Sequence, residues 1–400
     1  MAATLPDIAT ALIHHPYRAP AGFEAPQPGV FKASTVFFPS VAAMRQTEWK
    51  DKTGYTYGLH GTPTTYLLEE RLCTLEGGLQ CVLSPSGLAA IANLSLAVLR
   101  SGDEVLIPDN AYGPSKALAA AELKAWGISH RFYDPLDPQD LAACISPATR
   151  LVLLEAPGSV TMEFPDLPAL VRVCQARGVW TALDNTWGAG LAFAPFDLTP
   201  GSSPALAVDF SIHALTKYPS GGGDVLMGSV VTRDEALHHQ LLYCHMRLGF
   251  GVSGNDAEAV LRGLPSMALR YQAQDAATRA LAVWMQGQAA VAEVRHPALA
   301  GSPGHAAWLR DCTGAACLFS AIFKPEISQA QIDLFCDSLQ LFMLGYSWAG
   351  PMSLCAPYDV PSIRSVPWPH RGGLVRFSVG LESVADLQAD LSQALAKISA

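Results

Sequence analysis

Residues 151–184 read LVLLEAPGSVTMEFPDLPALVRVCQARGVWTALD, and two short apolar runs in this stretch flank a segment with helical periodicity. The runs LVLL (151–154) and WTAL (180–183) are typical of buried strands, whereas LPALVRVCQAR (167–177) is typical of a helix. A strand, a helix and a second strand in this order predict parallel strand pairing. The stretch therefore indicates an α/β fold.

The same alternation extends on both sides of this stretch. It predicts a mainly parallel sheet in a large domain, followed after about residue 250 by a smaller α/β domain. Residues 1–60 contain many prolines and glycines without sustained periodicity, which indicates an extended arm that packs on another surface, such as a second subunit. The predicted division is therefore 1–60, 61–252 and 253–400. Further strands are predicted at 105–107, 130–133, 208–212, 226–231, 317–323 and 374–379, and further helices at 256–288, 329–341 and from 383 onward.

Composition excludes several classes of protein. The formal net charge of -9 and the lack of a basic run argue against nucleic acid as a partner. The N-terminus lacks the apolar core of a signal peptide and no 18-residue apolar run follows, so we expect a cytoplasmic protein without a membrane anchor. Nine scattered cysteines without a Cys-x-x-Cys pair disfavour both a disulfide framework and a metal site.

Lys217 is the first candidate functional residue. It lies in SIHALTKYPSGGGD (211–224), at the end of an apolar strand, and no other lysine occurs between Lys124 and Lys324. Small and apolar neighbours remove hydration from its ammonium group, which lowers the pKa of the amine and favours imine chemistry. The alternative is a strand-end lysine whose ammonium group reaches solvent.

Other polar residues follow apolar runs in the same way and fit a site for pyridoxal 5'-phosphate (PLP). Asp184 ends a strand and would keep a pyridine nitrogen protonated, although a turn or cap aspartate is the alternative. The segment Ser86-Gly87-Leu88 opens a predicted helix and would bind a phosphate through backbone N–H groups, which alone is a weak signal. Tyr112 follows another strand and would cover the pyridine face, unless it is only a turn residue.

With these segments in hand, the chain resembles the Cys/Met-metabolism family of PLP enzymes almost from end to end. This resemblance implies the fold type I, aspartate aminotransferase-type architecture of PLP-dependent transferases. The segments that carry it are YGLHGTPT (57–64), LEGG (75–78), SGLAA (86–90), NAYGPS (110–115), EAPGSVTME (155–163), DNTW (184–187), TKY (216–218), HPAL (296–299), YSWAG (346–350) and VRFSVGLE (375–382).

The resemblance also implies roles for individual residues. Lys217 would be the Schiff-base lysine, Asp184 the partner of the pyridinium nitrogen and Tyr112 the stacking ring. Tyr57 resembles a tyrosine that reaches a neighbouring subunit's cofactor, which implies a dimer at minimum and leads us to expect a homotetramer. The phosphate site would include Ser86, Gly87, Leu88 and Thr216, and the substrate pocket would include Arg376 for the α-carboxylate, Ser347 and Trp348.

Three positions depart from the family pattern. An arginine that contacts the partner's phosphate is usual where this chain has Leu59, followed by His60. A serine is common where this chain has Ala214, and Gly-His is common where the chain has part of the glycine run 221–223. Either His60 or a backbone donor replaces the missing cation, or the cofactor is held more loosely than in relatives.

The resemblance implies β-elimination at a carbon–sulfur bond, because the Ser-Trp pair at 347–348 is similar to that of the β-lyases. Lys217 would remove the α-proton, with assistance from Tyr112 or the neighbour's Tyr57. L-cystathionine would give homocysteine, pyruvate and ammonia, which is a reaction of methionine biosynthesis. The alternatives are lysis of other cysteine conjugates, a γ-lyase or γ-synthase reaction, and a PLP-binding homologue without catalysis.

Overall fold

The structure, a computed structural model, describes residue 22 and residues 25–398. Most of the predicted arm up to residue 24 lies outside this part of the chain. The described remainder of the arm contains one short helix, α1 (Val41–Gln46), and an isolated bridge between Thr35 and Tyr57. The rest of the described chain forms two sheets with their covering helices.

The first sheet has seven strands in the order β1-β7-β6-β5-β4-β2-β3. Strands β2 to β6 pair in parallel, whereas β7 is antiparallel to both of its neighbours. The sheet is therefore mainly parallel, as the alternating sequence pattern predicts. Its strands are β1 (Gln80–Ser84), β2 (Glu104–Pro108), β3 (Ser129–Tyr133), β4 (Thr149–Glu155), β5 (Trp180–Asp184), β6 (Phe210–Ala214) and β7 (Gly228–Thr232).

Helices cover both faces of this sheet, which explains why its central strands are continuous apolar runs. Ser86 is the N-cap of the helix at the candidate phosphate site, and its side chain accepts a hydrogen bond from the backbone N–H of Ala89. The preceding helix ends at Gly77, whose φ of 78° favours glycine. The helices in this part are α2 (Pro63–Glu76), α3 (Gly87–Val98), α4 (Gly113–Leu118), α5 (Pro138–Cys144), α6 (Leu167–Gln175) and α7 (Glu235–Leu248), and a π-helical turn follows α4 at Ala119–Leu123.

The second sheet has five strands in the order β10-β11-β12-β9-β8. Its central strand pairs antiparallel with both neighbours, and its apolar side chains form a separate core rich in phenylalanine. Its strands are β8 (Val291–Arg295), β9 (Leu318–Phe323), β10 (Met343–Leu344), β11 (Leu354–Tyr358) and β12 (Leu374–Ser378). The helices after β7 and α7 are α8 (Gly254–Gly263), α9 (Met267–Gln286), α10 (His305–Asp311), α11 (Gln329–Ser338), α12 (Val360–Ile363) and α13 (Val384–Ala396).

The helical stretch predicted over 256–288 forms two helices in the structure, α8 and α9. A 3-10 turn at Leu264–Ser266 separates α8 from α9, and Pro265 occupies its start. Proline lacks the backbone N–H that a continuous helix needs, so the helix is interrupted there. Within residues 25–398, no helix is both long enough and apolar enough to cross a membrane.

Candidate active site

The carboxyl ends of the parallel strands bring the predicted residues to one edge of the large sheet. Strand β4 ends at Glu155 and β5 ends at Asp184, and these two residues are direct register partners. Strand β6 ends at Ala214, three residues before Lys217. Open α/β sheets bind ligands at this edge, so the fold places the chemistry where it is expected.

The amine of Lys217 faces side chains that precede the second sheet's β11. Its Nζ donates a hydrogen bond to Oγ of Ser347 over 3.1 Å and lies 5.5 Å from the ring centroid of Trp348. No carboxylate pairs with this amine in the described chain. Burial, with a smaller contribution from the positive charge of Arg376, lowers the pKa of Lys217 to about 8. The amine is therefore easier to deprotonate than an ordinary lysine.

Asp184 has one oxygen free for a ligand. Its Oδ1 accepts a hydrogen bond from the backbone N–H of Thr186 over 3.0 Å, and Oδ2 has no donor among the described residues. Burial raises the pKa of Asp184, while the hydrogen bonds from Thr186 and the charge of Lys217 oppose that rise. A positively charged group against Oδ2 would stabilise the carboxylate further.

Tyr112 stands next to these two strand ends. Its backbone N–H donates to Oε2 of Glu155 over 2.8 Å, which fixes the turn that carries the ring. The residue is 41% exposed, so a ring face remains available for stacking. Burial, followed by the nearby Asp184 and Glu155 carboxylates, raises the pKa of the Tyr112 phenol.

The predicted phosphate site consists mainly of backbone donors. The N–H groups of Gly87 and Leu88 open α3 and have no acceptor among the described residues. Gly87 is required by packing, because a Cβ there would lie 2.7 Å from Cβ of Ala214. Thr216 is adjacent in sequence to the lysine, and its hydroxyl donates weakly to the carbonyl of Met227 over 3.4 Å.

Arg376 is a buried cation without an acidic partner in the described chain. It is 5% exposed, and its guanidinium donates to the carbonyls of Tyr346 over 2.7 Å and Ser159 over 3.4 Å. The ring centroid of Tyr358 lies 5.3 Å from its Cζ atom. A guanidinium that is desolvated but unpaired suits a carboxylate ligand.

These groups fit PLP at each of its functional parts. The free N–H groups that open a twelve-residue helix suit a phosphate, and the free oxygen of Asp184 suits a protonated ring nitrogen. Lys217 supplies an amine of lowered pKa for the aldehyde, and Tyr112 supplies the ring. Fold and site together define the class of protein as a PLP-dependent α/β enzyme of fold type I.

Comparisons with known proteins identify the family. The family described as "Cys/Met metabolism PLP-dependent enzyme" matches residues 9–396, and the chain belongs to it. A putative cystathionine beta-lyase of Rhizobium johnstonii is 39% identical over 376 residues, which cover 93% of this chain and 92% of the relative. Cystathionine beta-lyase MetC of Escherichia coli is 36% identical over 374 residues, or 92% of each chain.

A solved structure agrees with this assignment. The cystathionine gamma synthase from Xanthomonas oryzae pv. oryzae in complex with cystathionine superposes with a TM-score of 0.84 at 31% identity, covering 93% of each chain. The chain therefore shares its fold with relatives that carry both β-lyase and γ-synthase names. The family and the cofactor are established on these grounds.

One predicted residue is not brought into this cluster within a single chain. The ring centroid of Tyr57 lies 6.1 Å from that of His60, and no hydrogen bond or ring contact joins Tyr57 to the lysine, Asp184 or Tyr112. Nδ1 of His60 shares a hydrogen bond with the Thr56 hydroxyl over 2.8 Å, and burial lowers the pKa of His60. Burial thus disfavours the cationic form of His60, and the role of this histidine at a phosphate stays a prediction.

Two further residues of the cluster were absent from the sequence prediction. Glu155 ends an apolar strand just as Asp184 does, so the same pattern would have found it. Burial and the neighbouring Asp184 raise the pKa of Glu155 well above its ordinary value. No pattern pointed to Tyr358, which contacts Arg376 only through the pairing of β11 with β12. Among residues 25–398, no group of His, Cys, Asp and Glu side chains could hold a metal ion.

Proposed function

We propose that this chain is a carbon–sulfur β-lyase that cleaves L-cystathionine to homocysteine, pyruvate and ammonia, a reaction of methionine biosynthesis. One observation carries the proposal: the Lys217 amine, held by Ser347 beside Trp348, shares a site with the unpaired Arg376. The arginine suits the α-carboxylate of an amino acid, and the amine lies ready for its α-proton. The names of the Rhizobium and Escherichia relatives support the choice of β-elimination.

When bound, PLP supplies an electron-accepting ring that stabilises the charge left at the substrate's α-carbon. Asp184 keeps the ring nitrogen protonated, and Tyr112 covers the ring face. Arg376 binds the α-carboxylate, and Nζ of Lys217 accepts the α-proton. The electron pair left at the α-carbon would then form a double bond to the β-carbon as the bond to sulfur breaks. The sulfur would leave as a thiol after taking up a proton, and water would release pyruvate and ammonia from the remaining fragment.

Some parts of the proposal concern groups beyond a single chain. We include Tyr57 from a neighbouring subunit, a homotetramer as the working assembly and a cytoplasmic location. Support for association comes from apolar side chains of the described arm, because Phe37 is 94% exposed and Met44 is 52% exposed. Sedimentation velocity tests the assembly, and a monomer would contradict it. The three-part division at residues 60 and 252 is retained as a proposal of the same kind.

The test of the reaction is the identity of its products. Purified holoenzyme is offered L-cystathionine, L-cystine, L-methionine and S-alkyl cysteines, and the keto acid and thiol are identified for each. Pyruvate and homocysteine from cystathionine are the expected result, whereas 2-oxobutyrate would identify a γ-lyase. Pyruvate from other conjugates alone would identify a different β-lyase. A PLP absorbance band without any turnover would contradict catalysis.

A further inference from the structure

A buried ion network joins the turn before Tyr112 to the loop that follows β11. Asp109 is fully buried, and one of its oxygens accepts a hydrogen bond from Nε of Arg364 over 2.5 Å. Its other oxygen accepts from the backbone N–H of Ser365 over 2.6 Å. Arg364 also donates from Nη1 to both oxygens of Glu163, over 3.1 and 3.0 Å. One guanidinium therefore holds two carboxylates from different loops.

The charges around this network are nearly balanced. Glu163 also accepts a hydrogen bond from a second arginine, Arg295, over 3.1 Å, and Nζ of Lys116 lies 3.8 Å from Asp109. Lys116 also donates to the carbonyl of Ile363 over 2.6 Å, so it contacts the same loop. Without Arg364, each acid would keep one cation at its edge and lose the one between them. Each buried carboxylate would then have less opposite charge around it, which disfavours the arrangement that buries it.

Short connections lead from the network to the groups that would contact the substrate. Asp109 and Asn110 directly precede the turn of Tyr112. The side-chain amide of Asn110 donates a hydrogen bond to Glu163 over 2.8 Å. The backbone carbonyl of Asn110 accepts a hydrogen bond from the backbone N–H of Ser159 over 2.9 Å. The carbonyl of Ser159 in turn accepts from Arg376. Hydrogen bonds and short chain segments thus connect the network to the turn of Tyr112 and to Arg376.

The loop of Arg364 is also connected to the carboxylate site through the strand before it. Strand β11 ends at Tyr358, whose ring lies 5.3 Å from Cζ of Arg376, and α12 leads from there to Arg364. Arg364 therefore connects the turn of Tyr112, the 159–163 loop and the strand pair that carries Tyr358 and Arg376. An arginine suits this place because its planar fork can bind two acids at once, whereas a lysine binds as a single point charge.

We propose that Arg364 is a positioning residue that holds the Tyr112 turn and the Arg376 strand at the spacing one substrate molecule requires. The inference rests on the proposed function for the identity of the substrate. It adds a residue that touches neither substrate nor cofactor and acts through Asp109 and Glu163. Misplacing binding groups by about 1 Å can cost about a hundredfold in rate, so a residue of this kind has a measurable effect.

The test compares R364M with R371M in the holoenzyme. Arg371 lies on the same loop, is exposed, and makes no hydrogen bond or ion pair among the described residues. We expect R364M to lower kcat/KM for L-cystathionine about ten- to hundredfold, mainly through KM, and R371M to leave it unchanged. Hydrogen exchange of the backbone should become faster in R364M at residues 109–112 and 359–366 alike. R364K should fall between R364M and wild type.

Several outcomes would overturn the proposal. An R364M variant that keeps the wild-type KM, whether or not its kcat falls, would show that Arg364 does not position the substrate groups. If R364M does not fold, R364K decides in its place, and an unchanged KM in R364K contradicts the proposal. Glycine binding distinguishes the failure of this proposal from the failure of the proposed function. The Kd of glycine is measured from the cofactor's absorbance and does not require cystathionine turnover. Without cystathionine turnover by wild type the proposed function fails, yet weaker glycine binding in the Arg364 variants would still support positioning.

Discussion

The two ends of the candidate cofactor site use different kinds of groups, side chains at one end and backbone N–H groups at the other. At the ring end, the candidate groups are side chains. Lys217 has a pKa lowered to about 8, and among residues 25–398 one oxygen of Asp184 has no donor and Arg376 has no acidic partner. At the phosphate end, the free donors are the backbone N–H groups of Gly87 and Leu88.

This difference predicts which end of the site tolerates amino-acid substitution. Every ring-end group lies on a single side chain, so a substitution removes its chemistry completely. Backbone N–H groups at a helix start remain after most substitutions, and their dipole still favours an anion. The sequence also has Leu59 and Ala214 at two positions where the family resemblance implies side-chain donors. We therefore expect the ring end to be intolerant of substitution and the phosphate end to be open to improvement.

The largest expected effect is that of K217A at the ring end. The variant loses the amine that we propose anchors the cofactor and accepts the α-proton, so kcat should fall by at least about a thousandfold. Pyruvate release from L-cystathionine measures this, with K124A as a control because Lys124 is exposed and remote from the strand ends. Near-normal pyruvate release by K217A would remove Lys217 from the mechanism.

R376M should have the next largest effect. A hydrogen bond to a charged group contributes about 1.5–3 kcal/mol, so loss of the guanidinium should raise KM about ten- to hundredfold. The cofactor's absorbance should stay unchanged, because Arg376 is assigned to the substrate. The exposed Arg371 again gives a control, as R371M. If R376M loses the cofactor band and keeps its KM, the carboxylate assignment is wrong.

The pH dependence of cofactor attachment tests the ring end without a substitution. Only the neutral amine attacks an aldehyde, and the pKa of Lys217 is lowered from 10.5 to about 8. Below that pKa the neutral fraction grows about tenfold for each pH unit, and above it the fraction is constant. Stopped-flow mixing of apoenzyme with PLP should show this plateau. A rate that continues to rise toward pH 10.5 would indicate an ordinary lysine.

The smallest expected effect is a gain at the phosphate end. A214S adds the hydroxyl that the family resemblance implies at this position, and one hydrogen bond contributes about 0.5–1.5 kcal/mol, so PLP should bind about two- to tenfold more tightly. Equilibrium titration of the apoenzyme measures this. The matched control is A385S, at an exposed position of α13. Weaker PLP binding in A214S would mean that the small Ala214 is needed for contact with Gly87.

Much of the fold and part of the site follow from local patterns. Strands β2 to β5 begin or end within two residues of the predicted runs, because β2, β4 and β5 contain apolar runs and β3 ends on the aromatic pair Phe132-Tyr133. Strands β1 and β11 were not predicted, since QCVLS and LCAPY are short and resemble many other segments. The pattern that picked out Asp184 could also have picked out Glu155. Arg364 could not be found this way, because its partner Asp109 is 255 residues away in the chain.

The sequence by itself determined the chemistry: an amine at the end of one strand, a carboxylate at the end of another, and a resemblance to a PLP family that the family match confirms. These signals are local, since each depends on a residue and the apolar run before it. Only the tertiary structure decided which groups meet. It placed Ser347 3.1 Å from the Lys217 amine, and it buried Arg376 with no acid from the described part of the chain beside it. Such contacts depend on how two sheets pack, and packing is set by many distant side chains together.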